Sequence, residues 1–416
     1  MTQASTDHLA RLYRISQTIN SSLDLDQVLN RVMDEVIAAT RAERGFLMLR
    51  GPDGGLVFRA ARGINQQTIE APEFQVSRGV VERVAREGLP RLTSDAQSDA
   101  WLGERTSVRM LGLRSILCVP LQLKEATLGV VYVDNRLQAG IFSPDDLELV
   151  HAIALSAAIA IENARLYQVA VEKGRLEREL QLAREVQASL LPRATPQIPG
   201  WDFAAYWQPA REVAGDFYDF IPAGQGRTGV VIGDVSDKGM AAALFMALTR
   251  SIVRASVSAA NSPAEGIIQA NRLICADSTN GMFVTLFYAR LDPTSGEMVY
   301  VNAGHNPPLL YHADQNELIR LTRTGMALGV FEIQPLDQST VQLNSGDLVL
   351  LYTDGVTEAL NAQGQEFGEA RLERILLEHH HAPAVETVGV LERALSRFTG
   401  ASAPFDDITL VLAKRL

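Results

Sequence analysis

Residues 230–240 read Val-Val-Ile-Gly-Asp-Val-Ser-Asp-Lys-Gly-Met. This stretch contains the pattern around which the rest of the chain is organised. An apolar run leads to Asp234, and a glycine-containing turn then leads into residues 241–248, whose composition is typical of a helix. An aspartate at the end of a strand can bind a cation, because the strand fixes the backbone while the loop leaves coordination positions open. A single aspartate of this kind is more often a turn or cap residue.

The same arrangement occurs three more times along the chain. Asp216 follows Ala-Gly at residues 214–215, Asp354 ends the apolar run 349–353, and Asp406 opens the last apolar run. Four carboxylates at the ends of apolar strands predict one oxygen-rich site assembled from distant parts of the sequence. Mg²⁺ and Mn²⁺ prefer such ligands.

Six sequence blocks contain or surround these aspartates. In chain order they are REVAGDFYD, IGDVSDKGMAAAL, MFVTLFYARLD, NAGHNPPLL, VLLYTDGVTEA and DDITLVLAKR. Together, from about residue 179 to residue 416, they resemble the SpoIIE/RsbU group of metal-dependent, PPM-type serine/threonine phosphatases.

The resemblance implies hydrolysis of a phosphoserine or phosphothreonine monoester by water that two Mn²⁺ or Mg²⁺ ions activate. It implies that Asp216 and Asp234 bridge or flank the two ions and that the Val235 carbonyl adds a ligand to one of them. It also implies that Asp354 and Asp406 hold the second ion. These four aspartates are therefore the predicted catalytic and metal-binding residues.

Other polar residues near these blocks leave alternatives open. Arg211 is either a phosphate-binding guanidinium, as in the wider superfamily, or an ordinary surface residue. Asp407 is expected to support the site rather than to bind metal. Asp219 is expected to point away from it, because side chains alternate along an extended chain. His305 is expected to shape its loop rather than to act as a general acid.

The composition indicates a soluble, acidic protein with more than one domain. The 416 residues are 21% charged and 47% apolar, with a formal net charge of −11. Nucleic acid is not an expected partner, because no excess of positive charge is available to neutralise phosphates. The polar N-terminus and interrupted apolar stretches predict no signal peptide and no membrane span, hence a cytoplasmic protein. Cys118 and Cys275 are expected to be buried free thiols.

Residues 8–168 predict helices packed around an antiparallel sheet. Apolar residues at helical spacing precede residue 40, short β-type runs follow, and Ser-Pro-Asp-Asp at 143–146 begins a helix. The phrases SILCVPL and LGVVYVDNRL…FSPDDLELV resemble GAF domains. Such domains bind cyclic nucleotides, tetrapyrroles, other small molecules or nothing, so the ligand is unknown. One alternative is that this GAF domain is structural and serves mainly to dimerise the chain. Cyclic-nucleotide binding is the other, on a degenerate signature at Asn135, Arg136, Phe142 and Asp146.

The sequence from Pro144 to about Leu190 is almost continuously helical. A 4-3-4-3 spacing predicts a coiled-coil seam, and therefore a homodimer. The seam residues are Val150, Ala154, Ala157, Ile161, Ala164, Gln168 and Val171. A second seam, one residue out of phase, comprises Leu176, Leu180, Ala183, Gln187 and Leu190. The joint near Gly174 is either a passive bend or a register-sensitive switch.

We therefore expect an α+β protein of three parts. Residues 8–168 form a GAF sensor domain, 169–192 a helical coiled-coil linker, and 193–416 a SpoIIE/RsbU-like phosphatase domain with a PPM-type α/β sandwich. The resemblance implies a phosphorylated STAS-domain anti-sigma-factor antagonist as substrate, in partner-switching control of a stress response. Two alternatives are a scaffold with an inactive domain and a nucleotide cyclase. An inactive scaffold would lack one of the metal aspartates, but all four are present. A nucleotide cyclase would show purine-selecting residues, and the sequence has no such pattern.

Overall fold

The computed structural model describes residues 3–63, 65–71, 76–99, 106–278, 281–400 and 404–416. The chain divides into two compact units, Met1–Arg175 and Leu176–Leu416. By length and composition alone, helices 144–190 and 240–259 could each cross a bilayer. However, 50% and 44% of their most apolar windows are buried inside the protein, as in the core helices of globular domains.

The N-terminal unit is an antiparallel sheet with helices on both faces. The strand order is β2-β1-β5-β4-β3. The helices are α1 (Gln3–Ile19), α2 (Leu25–Thr40), α3 (Arg78–Glu87), α4 (Thr106–Met110) and α5 (Pro144–Leu190). The strands are β1 (Arg44–Arg50), β2 (Leu56–Gly63), β3 (Arg91–Thr93), β4 (Ser115–Leu123) and β5 (Ala126–Asn135). The expected order of helices, sheet and helix is confirmed.

Local sequence signals explain where these elements begin and turn. The Asp24 side chain accepts the Gln27 N–H at 2.9 Å and so caps α2. Ser143 and Asp146 exchange hydrogen bonds at the start of α5, which is a capping box. The β4–β5 hairpin turns at Lys124, whose φ of 56° is left-handed.

The residues predicted as the first coiled-coil seam lie inside the N-terminal unit. Val150, Ala154, Ala157, Ile161 and Ala164 are buried in the same core as α1, α2 and the sheet. Side chains packed into their own domain are not available to a second chain, so the prediction of a dimer seam at these five positions is wrong. Their spacing reflects the packing of α5 on its own domain.

A different face of α5 carries a heptad pattern at exposed positions. Its exposed apolar residues are Leu155, Ile159, Leu166, Val169 and Leu176. Positions 162 and 173 complete a 4-3-4-3 spacing, which continues in phase into the predicted second seam. Helix α5 runs through Gly174 as one helix, and the exposed pattern crosses that glycine without a change of phase.

The C-terminal unit is a sandwich of two antiparallel sheets between helix pairs. Within the described residues the sheets have the orders β13-β10-β9-β8-β7 and β12-β11-β14-β15-β6. The strands are β6 (Trp201–Gln208), β7 (Phe217–Pro222), β8 (Thr228–Val235), β9 (Val284–Leu291), β10 (Glu297–Ala303), β11 (Leu309–His312), β12 (Glu317–Arg320), β13 (Ser339–Gln342), β14 (Leu348–Tyr352) and β15 (Ile408–Arg415). The helices are α6 (Met240–Ala259), α7 (Pro263–Asp277), α8 (Asp354–Thr357), α9 (Glu369–His379) and α10 (Ala384–Thr399).

Three apolar layers hold this unit together. Side chains of both sheets, among them Phe203, Ile232 and Val411, form the central layer. Helices α6 and α7 pack on the outer face of one sheet, and α9 and α10 pack on the outer face of the other. The expected α+β class and the sandwich are confirmed. The short strands β11, β12 and β13 were not predicted, because runs of four residues carry little periodic signal.

The two cysteines differ in exposure. Cys118 is buried in β4 as expected, whereas Cys275 is only partly buried near the end of α7. The prediction of a buried thiol is therefore wrong for Cys275. The buried stripe of α7 includes Ile274 and Asn271, and the next residue along the helix lies at its edge.

Candidate metal centre

The predicted metal aspartates meet at one end of the sandwich. Asp234 lies in β8, Asp354 begins α8 directly after β14, and Asp406 precedes β15. These three carboxylates line one cavity of about 270 Å³ together with Val235, Ser236, Asp237, Lys238, Phe283 and Thr285. The structure thus brings together residues from both sheets that are far apart in sequence.

Asp216 is 2% exposed, and its side chain contacts that of Asp234. Its Oδ2 accepts hydrogen bonds from the hydroxyls of Thr353 and Thr409, each at 2.7 Å. Thr353 directly follows β14 and Thr409 lies in β15, so the second sheet orients a carboxylate that directly precedes β7 of the first sheet. One carboxylate oxygen is therefore held by the two hydroxyls, and the carboxylate faces its neighbour Asp234.

Burial and mutual repulsion shift the protonation of this cluster. Burial raises the pKa of Asp216 well above its ordinary value, and the charges of Asp234 and Asp407 raise it further. Burial also raises the pKa of Asp234, with added repulsion from Asp354 and Asp406. The pKa of Asp354 rises for the same two reasons, burial first and Asp406 second.

The residues present fit a pair of divalent cations. Buried carboxylates that repel one another are costly unless a cation neutralises them. Among the described residues the ammonium of Lys238 reaches Asp406 at 2.7 Å, whereas Asp216, Asp234 and Asp354 form no ion pair with a basic side chain. An all-oxygen set of this kind suits Mg²⁺ or Mn²⁺ rather than a softer metal.

Asp407 serves as the anchor of the loop that carries Asp216. Its Oδ1 accepts the Ala210 N–H at 2.7 Å, and its Oδ2 accepts the Gly215 N–H at 2.7 Å. Gly355 allows the Asp354 loop to approach the same segment, because a side chain there would overlap the Asp407 carbonyl oxygen. Asp407 thus holds the backbone of the segment that leads to Asp216.

Comparison with known proteins identifies the two units. Residues 224–416 match the family model for stage II sporulation protein E (SpoIIE), and residues 24–161 match the model for the GAF domain. Residues 224–416 therefore form a SpoIIE-family domain, and residues 24–161 form a GAF domain. The predicted resemblance is confirmed for both parts of the chain.

Individual relatives of this phosphatase family support the assignment. Protein IcfG of Synechocystis sp. is 32% identical over 265 residues, which are 57% of this chain and 41% of IcfG. Phosphoserine phosphatase RsbU of Bacillus subtilis is 28% identical over 240 residues, 58% of this chain and 71% of RsbU. The match thus spans less than half of IcfG.

A solved structure supports the fold of the phosphatase unit. The SiaA-PP2C domain of Pseudomonas aeruginosa superposes with a TM-score of 0.53 at 21% identity. The superposition covers 59% of this chain and 99% of that domain. At this identity the likeness concerns the fold alone.

Three predicted residues of the phosphatase domain lie outside the carboxylate cluster. Arg211 is exposed on the loop after β6. It borders a neighbouring groove and does not line the cavity formed by Asp234, Asp354 and Asp406, here called the metal cavity. Asp219 is buried on the other side of β7, where Arg250 and Arg254 contact its carboxylate at 2.8 and 2.7 Å. His305 is buried, and its Nδ1 lies 2.9 Å from the Thr285 hydroxyl.

His305 is suited to shaping its loop. Its N–H donates to the Asn302 side chain at 2.9 Å, and burial lowers the pKa of His305 to about 3. The ring is therefore neutral near pH 7 and has no imidazolium proton to give to a leaving group. This geometry agrees with the expected structural role.

A second His/Asp cluster on the phosphatase unit is also structural. His312 Nδ1 lies 2.9 Å from Asp347, whose oxygens also accept the N–H groups of Ala313 and Asn344 at 2.8 Å each. Asp314 is nearby but exposed. Because Asp347 already accepts three hydrogen bonds, it fixes the turn before β14 and has little capacity left for a cation.

Four residues that the structure brings to the site were not predicted as site residues from the sequence. Thr353 and Thr409 hold Asp216, Lys238 contacts Asp406, and Gln187 binds the loop before Asp216. Each threonine is a polar residue next to an apolar run, and this feature of the sequence could have indicated a role at the site. Gln187 gave only the signal of a polar residue in an otherwise apolar seam position.

Proposed function

We propose that this chain is a metal-dependent protein serine/threonine phosphatase whose activity is regulated by its GAF domain. The observation that carries the proposal is the cluster of four aspartates at one end of the sandwich, with burial and repulsion raising the pKa values of three of them. Two Mn²⁺ or Mg²⁺ ions would neutralise this cluster. We assign one ion to Asp216, Asp234 and the Val235 carbonyl, and the other to Asp354 and Asp406.

The protein groups around the proposed ions have distinct tasks. When bound, the ions supply Lewis-acid activation of water and of the phosphoryl group. Thr353 and Thr409 fix the orientation of the Asp216 carboxylate through charge-assisted hydrogen bonds. Asp407 fixes the backbone on which Asp216 lies. The position of the Asp216 carboxylate is therefore set before any ion would bind, which favours tight and specific binding.

We propose phosphoserine or phosphothreonine in a protein as the substrate, and a phosphorylated STAS-domain antagonist of an anti-sigma factor as the physiological one. The relative RsbU is named a phosphoserine phosphatase, which supports the first part. The second part rests on the family resemblance. A cytoplasmic location would suit such a partner.

We also propose that the chain is a homodimer that pairs along the exposed seam of α5. Leu155, Ile159, Leu166, Val169 and Leu176 are exposed apolar residues at heptad spacing on one helix face. Burying such a seam against a second copy removes apolar surface from water. The dimer would thus use the face of α5 that the GAF core does not cover.

The GAF unit offers a place for a regulatory ligand. A cavity of about 800 Å³ lies between the β1–β2 hairpin and α3. Apolar side chains such as Val81 line it together with the charged Arg50, Glu82 and Arg86. Apolar walls with a few polar groups are typical of small-molecule sites. We propose this cavity as the sensor site, with the identity of the ligand open.

The test is turnover of phosphorylated peptides by the purified full-length chain with Mn²⁺. A phosphoserine peptide should be hydrolysed, and the same peptide with phosphotyrosine should be a much poorer substrate. Asp234→Asn should lose this activity, whereas Asp314→Asn, at an exposed aspartate of the same unit, should keep it. Equal activity of the Asp234→Asn variant would refute the assignment.

A further inference from the structure

Lys238 lies in the turn between β8 and α6, and its ammonium faces the carboxylate cluster. Nζ is 2.7 Å from Asp406 Oδ2 and 3.0 Å from the Phe405 carbonyl oxygen. It also lies 4.3 Å from the centre of the Phe405 ring, within range of a cation–π contact. Lys238 is thus the counter-ion of a proposed metal ligand.

The turn that carries Lys238 is held in an unusual conformation. Asp237 has a φ of 82°, a region that residues other than glycine rarely adopt. Its own carboxylate accepts the Lys238 N–H at 2.8 Å, which fixes the turn. Strain of this kind persists where the surrounding structure maintains it, and it concentrates at functional sites.

Lys238 also lines two neighbouring cavities. It lines the metal cavity of about 270 Å³ with Asp234 and Asp354. It also lines an adjoining groove of about 890 Å³, bordered by Tyr206, Arg211, Leu395 and Phe405. A substrate whose phosphoryl group reaches the metal cavity from this groove would pass directly by the ammonium.

We infer that Lys238 binds the phosphoryl group of the substrate when the metal centre is loaded, after Asp406 has exchanged the ammonium for a metal ion. This inference rests on the proposed phosphatase function and names a substrate-binding residue for it.

The charges around Lys238 favour this exchange. With a divalent ion held by Asp406, the ammonium of Lys238 would be free to pair with the dianionic phosphoryl group of a phosphomonoester. The flexible four-carbon stem of lysine allows its ammonium to move between such partners. The chain as a whole carries a net charge of −11, so a local cation at the cavity is needed to attract an anionic substrate.

Lys238 could instead be a purely structural clamp that holds Asp406. The two roles make opposite predictions for metal binding. A structural clamp that is removed should weaken Mn²⁺ binding, because Asp406 loses its position. A counter-ion that must leave before the metal binds should, when removed, leave Mn²⁺ affinity unchanged or increase it.

The experiment compares Lys238→Met and Lys238→Arg with the full-length wild-type chain. Inorganic phosphate serves as the probe, and its affinity for the Mn²⁺-loaded protein is measured by calorimetry and as competitive inhibition of phosphoserine-peptide hydrolysis. Lys238→Met should weaken phosphate binding and raise KM by about tenfold or more, the range for a hydrogen bond to a charged group. Lys238→Arg should recover much of the loss, because a cation remains.

The control is Lys124→Met, which removes a lysine from the exposed turn of the GAF hairpin and should change neither value. Unchanged phosphate affinity in Lys238→Met would overturn the inference, and so would a parallel loss of Mn²⁺ affinity. These failures differ from a failure of the proposed function, in which the wild-type chain itself would not hydrolyse the peptide. Phosphate binding by calorimetry would still test Lys238 in that case.

Discussion

The side chain of Gln187 forms a pair of hydrogen bonds with the backbone of Ala214. Its Nε2 donates to the Ala214 carbonyl at 2.7 Å, and its Oε1 accepts the Ala214 N–H at 3.0 Å. Gln187 lies in the last turns of α5, at a position of the heptad seam, and Ala214 lies two residues before Asp216. The end of the long helix is therefore tied to the loop that positions a proposed metal ligand.

Replacing Gln187 with leucine should loosen this loop. The change leaves the buried N–H and carbonyl of Ala214 without partners, at a cost of about 1–3 kcal/mol for each group. We expect a lower thermal unfolding midpoint and weaker Mn²⁺ binding. Gln181→Leu is the matched control, since Gln181 is exposed on the same helix. Wild-type Mn²⁺ affinity in Gln187→Leu would show that the contact does not support the metal site.

Removing the hydroxyls that hold Asp216 should weaken metal binding without creating a cavity in the core. Thr353→Val and Thr409→Val keep the side-chain shape but each remove a hydrogen bond to a carboxylate, worth about 1.5–3 kcal/mol. Mn²⁺ titration should show reduced affinity in each variant and a larger loss in the double variant. Thr340→Val, at an exposed threonine of β13, should bind Mn²⁺ normally. Equal affinities in all variants would contradict the proposed orienting role.

The exposed seam of α5 predicts the oligomeric state. Leu166→Glu places a charge in the middle of the seam and should convert the dimer to a monomer, as measured by sedimentation velocity. Leu182→Glu makes the same change at an exposed leucine outside the heptad positions and should leave the dimer intact. A wild-type chain that sediments as a monomer would refute the proposed dimer.

The raised pKa values of the cluster predict how pH affects the metal-free protein. Burial and repulsion raise the pKa values of Asp216 and Asp234 above those of the unfolded chain, about 4. The folded state therefore binds more protons, and its stability falls as pH rises above that value. Mn²⁺ takes the place of those protons, so its stabilising effect should grow with pH. The difference between the thermal unfolding midpoints measured with Mn²⁺ and with EDTA should increase from about pH 5 to pH 8. A difference that stays constant over this range would contradict the prediction.

Much of the phosphatase unit could be predicted from its sequence. The composition of residues 241–248 predicted the start of α6, and apolar runs predicted the strands that lead to Asp234 and Asp354 and that follow Asp406. The repeated placement of aspartates at strand ends indicated the metal centre. These signals are local, and each can be recognised without knowing which strands are neighbours.

The partners of Asp216 could not be predicted in this way. Thr353 lies opposite Thr409 only because β14 and β15 pair in one particular register, with Tyr352 opposite Leu410. Nothing local to either threonine specifies that register. The Gln187 contact similarly depends on where the helix end meets the sandwich.

The coiled-coil prediction failed for a related reason. Helix α5 has 4-3-4-3 patterns on two of its faces, and periodicity does not indicate which face packs on its own domain. The structure shows that the face with Ala154 and Ala157 is the internal one. The face with Leu155 and Ile159 is exposed, and its pattern continues past Gly174 without a change of phase.

The central claim is that the aspartate cluster binds the ions on which phosphatase activity depends. The most direct test measures Mn²⁺ bound and phosphate released from a phosphoserine peptide in the same samples of wild-type chain and Asp354→Asn. We predict that release by the wild type follows Mn²⁺ occupancy and stops with EDTA, and that Asp354→Asn binds less Mn²⁺ and is slower by at least about a hundredfold. Release that persists in EDTA, or an Asp354→Asn variant as fast as the wild type, would contradict the account.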